Sequence, residues 1–149
     1  MKIKFTSNRL PLSYLIRLWC FSKVSHVEFV FSDGVSIYPA VETGRTILTK
    51  KTYTNEYIFD LNLTAEQEAK VRQWAESQIG VIYDYTALAP FNWIIPRAKS
   101  SWKDPKFWMC SEFCAYGLEL VGIKLFDDAH KKIKPSDLYV KVKEKFKEE

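Results

Sequence analysis

Two histidines and three cysteines are the side chains of this 149-residue chain best suited to nucleophilic or metal chemistry. Cys110 and Cys114 stand four residues apart, so both fall on one face of a helix. Cys110 opens that helix directly after Phe107-Trp-Met109, where unpaired backbone amides favour an anionic sulfur. Cys114, one turn further in, loses most of that effect and reads as a packing residue. Cys20 ends an apolar helical pattern and reads as buried filler. One cysteine pair at four-residue spacing does not supply four zinc ligands, so no metal and no other cofactor is expected. His130 lies in the polar run Asp127–Lys132 and reads as part of a solvated loop. His26 opens an apolar strand directly after Ser25, and it has two readings. It is either a core or edge histidine satisfied by a backbone carbonyl, or a catalytic base. A thiolate at a helix start facing an imidazole at a strand start is a nucleophile with its base.

The elements that must position these groups follow from periodicity. Lys2 to Thr6 alternates polar and apolar residues and predicts a strand. Pro11 opens a helical pattern through Leu12, Leu15, Ile16 and Trp19. His26 to Phe31 has period two, with His26, Glu28 and Val30 on one face and Val27, Phe29 and Phe31 on the other. Ser32-Asp-Gly34 is a turn signal, and Val35 to Tyr38 is the return strand of a hairpin. Further strands are expected over Arg45–Thr49 and Glu56–Asp60. Thr64-Ala-Glu-Gln67 is a capping box that starts a helix reaching Gln78 or Ile79, with Val71, Trp74, Ala75 and Ile79 on its buried side. Gly80 supplies the left-handed stop. Residues 81–108 read as irregular and aromatic, a helix follows from Cys110 to Val121, and a short helix after Pro135 is expected to fray into Lys143–Glu149. The expected class is α+β, a small antiparallel sheet packed against helices in a single domain over residues 1–149.

Composition narrows the function. The chain is 47% hydrophobic and 15% aromatic, enough for a real core. A formal net charge of +4 is spread thinly, so no nucleic-acid groove is expected. The odd cysteine count fits a reducing compartment. Arg17 interrupts the apolar stretch from Leu10 to Phe21, no small-residue cleavage site follows it, and Val81–Pro96 is too short to span a bilayer. A cytoplasmic protein without stable membrane insertion is the expectation.

Ser25-His-Val-Glu-Phe-Val30 with Asp33-Gly34, then Tyr83-Asp-Tyr85, then Met109-Cys-Ser-Glu-Phe113 resembles the circularly permuted NlpC-type papain-like hydrolases. These are the YiiX/YaeF/YebB-like group of bacterial and phage proteins, with lecithin retinol acyltransferase a more distant relative. In the unpermuted enzymes the cysteine helix precedes the histidine strand. Here Cys110 follows His26 by 84 residues, which is the permuted order. The resemblance covers roughly residues 1–140. It implies a permuted papain-like fold, Cys110 as nucleophile and His26 as general base. The family's third polar residue falls on Tyr38, where relatives commonly carry histidine or an acid. Glu28, on the same strand face as His26, is the alternative third member, or else a sheet-face carboxylate paired with a lysine; Glu42 and Ser36 are weaker substitutes. Tyr83 is implied as an oxyanion- or substrate-lining group. Ser111, in the first turn of the cysteine helix, is assigned to the same region or to helix capping, and Glu112 reads as a cap. The implied activity is a thiol hydrolase cleaving an amide, ester or thioester bond, with an acyl, peptide or lipid-derived substrate. The competing functions are a lipid acyltransferase or deacylase, whose acyl groove the aromatic segment Phe91–Trp108 would line, and a catalytically silent binding module directed at a host or bacterial protein.

Overall fold

The computed structural model describes residues 1–7, 14, 17–18, 22–50, 56–84, 106–127 and 133–148. Five strands are built as the alternation requires: β1 (Lys2–Thr6), β2 (His26–Val30), β3 (Ser36–Ala40), β4 (Arg45–Thr49) and β5 (Glu56–Asp60). Helix α1 (Ala65–Ser77) follows, then two short strands, β6 (Ile82–Tyr83) and β7 (Phe107–Trp108). Helices α2 (Cys110–Glu119) and α3 (Pro135–Lys145) complete the described elements. The class is α+β.

The sheet is larger and less uniform than expected. Seven strands run in the order β5-β1-β2-β3-β4-β6-β7. Neighbours are antiparallel except β6 and β7, which pair in parallel through Ile82↔Phe107 and Tyr83↔Trp108. Residues 81–108 therefore begin and end in strands, which corrects the expectation of a wholly irregular segment. Two-residue strands are too short to show a period, and their partners lie a long crossover apart. Within each, one side chain is buried and one exposed: Tyr83 and Trp108 point in, Ile82 and Phe107 out.

Local signals elsewhere hold. Gly34 has a φ of 77° and its N–H donates to the Phe31 carbonyl, closing the β2–β3 hairpin. Thr64 and Gln67 form the reciprocal capping box at the start of α1. Ile79 is exposed rather than buried, because Gln78 already caps the helix and Gly80 (φ 89°) turns the chain away. The C-terminal helix continues past Lys143, since Leu138 and Val142 are buried along one stripe that Phe146 extends. Glu148 then bridges Phe59 of the edge strand β5. The expected helix from Pro11 to Trp19 lies largely outside the described residues; Tyr14, Arg17 and Leu18 within it are helical.

An aromatic core joins α1, α2 and the sheet. Trp74 stacks on Phe113 at 4.6 Å, and Trp108 meets Trp74 edge-on at 5.7 Å. Gly117 lets α2 lie against β2. A Cβ there falls 2.6 Å from Phe29 Cε2 and 2.9 Å from Trp74 Cζ3, closer than packed carbons tolerate. Gly117→Ala is therefore expected to cost about 1–3 kcal/mol through overpacking, read as a lower urea midpoint at unchanged slope.

Candidate active site

The site begins at the first residue of β2. Ser25 donates its backbone N–H to the Thr6 carbonyl at 3.0 Å, and Thr6 stands opposite His26 in the β1–β2 register. The period of two then carries Glu28 to the same face as His26, and the same register sets Lys4 opposite Glu28. Lys4 and Glu28 form a buried ion pair, with Nζ to Oε1 at 2.5 Å. The lysine partner of Glu28 thus comes from β1. Alternation in Lys2–Thr6 puts Lys4 on a polar face, but register across the 19 residues between β1 and β2 is not a property of that pentapeptide.

Helix α2 brings the sulfur. It begins at Cys110, and Met109 at the cap position offers no side-chain hydrogen bond to the first turn. The first intrahelical bond runs from the Phe113 N–H to the Met109 carbonyl at 2.9 Å, so the amides before Phe113 have no acceptor within the helix. Cys110 is 2% exposed. Its thiol lies close enough to the His26 imidazole to raise the ring's pKa. Strand start and helix start, 84 residues apart, are therefore in contact.

The electrostatics of His26 follow from these neighbours. Burial opposes a charged ring, but contact with Cys110 and then with Glu28 outweighs it, and the pKa rises from 6.5 to about 10. His26 Nε2 lies 3.9 Å from Glu28 Oε2, beyond a direct hydrogen bond and inside Coulombic reach. Tyr38 meets the imidazole through its ring, edge-to-face with centroids 4.6 Å apart. Both candidates for the third position thus touch or approach the imidazole, Tyr38 as a packing wall and Glu28 as a charge.

A pKa raised on folding stabilises the fold while the ring is protonated. That contribution is complete below pH 6.5 and lost as pH rises through about 10. The urea midpoint of the wild-type chain should therefore exceed that of His26→Gln by a margin that narrows steadily between pH 6.5 and 10. A margin that stays constant across this range contradicts a raised His26 pKa.

Other candidates fall into place around the sulfur. Cys114 is fully buried, and burial, followed by the nearby Cys110 and Glu28 charges, pushes its thiol well above the ordinary range. It is a neutral packing group. The Ser111 hydroxyl is buried and donates to the Ile133 carbonyl, tying α2 to the segment before α3. Tyr83 is buried on β6, in register with Trp108, two residues before Cys110. The Asp84 N–H donates to the Trp108 carbonyl at 3.0 Å and fixes that strand end. Glu112 is fully buried in the first turn of α2. Cys20, His130 and most of the aromatic segment, with Arg97, Lys99 and Lys103, lie outside the described residues. Among the described residues no three His, Cys, Asp or Glu side chains gather as a metal site, and no helix is long and apolar enough to cross a membrane.

Fold and juxtaposition together define an α+β protein in which a helix-start cysteine meets a strand-start histidine. Its backbone is similar to that of the crystal structure of metalloprotein YiiX from Escherichia coli O157:H7. The TM-score is 0.52 at 18% sequence identity, over 85% of this chain and 68% of that one. This likeness is one of fold, to a member of the group that the sequence motifs resemble. No family model matches the chain, and no curated protein matches it in sequence.

Proposed function

We propose that the chain is a thiol hydrolase on a permuted papain-like fold, acting through an acyl-enzyme at Cys110. The observation that carries this reading is the close electrostatic pairing of the His26 imidazole with the Cys110 thiol at an uncapped helix start. In the proposed cycle the proton of Cys110 resides on His26, and the thiolate attacks a substrate carbonyl carbon. The tetrahedral oxyanion is held by first-turn amides of α2, those of Cys110 and Ser111, with Tyr83 beside them. His26 gives its proton to the departing amine, alcohol or thiol, leaving a thioester on Cys110. Water then attacks the thioester as His26 takes its proton back, and collapse releases the acid and regenerates the pair. Glu28 faces Nε2, which leaves Nδ1 for the sulfur and fixes the ring's orientation. Tyr38 occupies the position where relatives place a polar group, and in this reading it packs the ring.

The class of substrate is an acyl donor with an amide, ester or thioester bond, peptide or lipid-derived, met in the cytoplasm. The structural neighbour is described as a metalloprotein; the residues described in this chain gather no matching donor set, and no step of the cycle uses a metal. The test is turnover of matched amide, ester and thioester probes by wild type and Cys110→Ala. The expected result is turnover of at least one probe, abolished by Cys110→Ala, with a covalent acyl adduct on Cys110 by intact mass. Turnover that survives Cys110→Ala rules the mechanism out. Absence of turnover and of any adduct across all three bond types favours the silent binding module, and transfer of the acyl group to an added alcohol or amine favours the acyltransferase.

A further inference from the structure

The cycle above leaves one buried charge without a task. Lys4 projects from β1 to Glu28, and the two carboxylate oxygens are divided between two cations. Oε1 faces Lys4 Nζ at 2.5 Å, and Oε2 faces His26 Nε2 at 3.9 Å. The three side chains are 6%, 0% and 18% exposed, so water screens them little. Against His26 stand Glu28 on its own strand, Thr6 opposite it on β1, Tyr38 from β3 and Cys110 from α2, while Lys4 lies against Glu28 and the neutral Cys114 near Cys110 and Glu28. With Cys110 as thiolate, the four residues Lys4, His26, Glu28 and Cys110 carry two cations and two anions. Without Lys4, Glu28 loses the cation at its Oε1 and competes more strongly with the sulfur for the imidazolium.

We infer that Lys4 is a positioning residue: as a counter-ion of Glu28, it leaves the His26 cation free to pair with Cys110. The inference rests on the thiol-hydrolase reading and adds to it a group that reaches the sulfur only through two others. Its consequence is directional. Removing a buried cation disfavours the anions beside it, and the thiolate is the anion that the cycle needs. Loss of Lys4 is therefore expected to slow Cys110 on the acid side of neutrality and to matter less in alkali.

The experiment is the rate of Cys110 alkylation by iodoacetamide from pH 5 to 9.5, resolved site by site by peptide mass spectrometry. Lys4→Met is expected to lower the rate at pH 6 at least tenfold and to leave the rate at pH 9 within about threefold of wild type. Lys4→Arg, which keeps the charge, should follow the wild-type profile within about threefold at both ends. Lys4→Gln, which removes the charge and keeps a polar head, is the fallback if Lys4→Met does not fold, and its rate at pH 6 should fall at least tenfold as well. A profile of Lys4→Met, or of Lys4→Gln in its place, that coincides with wild type overturns the inference. If wild-type Cys110 reacts no faster at pH 6 than the other two thiols, the hydrolase reading falls and this inference falls with it. Selective wild-type labelling with no effect of Lys4 overturns the inference alone.

Discussion

Replacing His26 with alanine is expected to slow alkylation of Cys110 at pH 6 by at least about 100-fold, the lower end of what a positioned acid–base partner contributes. At pH 6 the ring, with a pKa of about 10, carries its proton and sits beside the sulfur. A cation held there stabilises the thiolate, which is the reactive form. In the alanine variant only the first-turn amides of α2 remain, and their partial charge has a modest effect. The measurement is a second-order iodoacetamide rate for each of Cys20, Cys110 and Cys114 in both proteins. Wild type should label Cys110 ahead of the other two, and His26→Ala should erase the preference. Cys114 acts as an internal control, because its burial keeps it protonated in either protein. Equal, slow labelling of all three thiols in wild type removes the basis for any catalytic role of this pair.

Removing the carboxylate of Glu28 has the largest expected effect on stability. Glu28→Ala should lower the unfolding free energy by about 3–5 kcal/mol, the usual consequence of deleting one partner of a buried ion pair. Glu28 is fully buried, and the Lys4 ammonium it faces is 6% exposed, so the lysine is left with little water to replace its partner. The void left by the missing side chain adds to the loss. Glu28→Gln retains the volume and a polar oxygen facing Lys4, so its cost should be visibly smaller. Urea unfolding of the three proteins at pH 7, with slopes compared, provides the check. A Glu28→Ala loss below about 1 kcal/mol matches a pair at the surface and contradicts the enclosure described for Lys4 and Glu28.

Both predictions depend on long-range register, and the hairpin shows where legibility stops. The alternation in His26–Val30 and the turn at Asp33-Gly34 are local, so β2, its turn and the return strand can be read from spacing alone. Even there, burial exceeds what alternation signals, since Val27, Glu28 and Phe29 are all closed off. Three neighbouring residues cannot report what covers the second face of their strand. The same limit applies to β6 and β7, whose parallel pairing joins residues 25 positions apart. It also applies to Ile79, which helical periodicity buries and the turn at Gly80 exposes.

The sequence by itself determined the elements and their chemistry: which segment begins with an imidazole, which helix begins with a thiol, and where each is capped or reversed. Those outcomes depend on backbone preferences and side-chain contacts within a few residues. Only the tertiary structure decided that Lys4 stands opposite Glu28, that Tyr38 presents its ring to His26, and that Cys110 meets the imidazole. These contacts have no local free energy of their own. They form because a seven-stranded sheet and an aromatic core held close by Gly117 lower the free energy of the whole chain together.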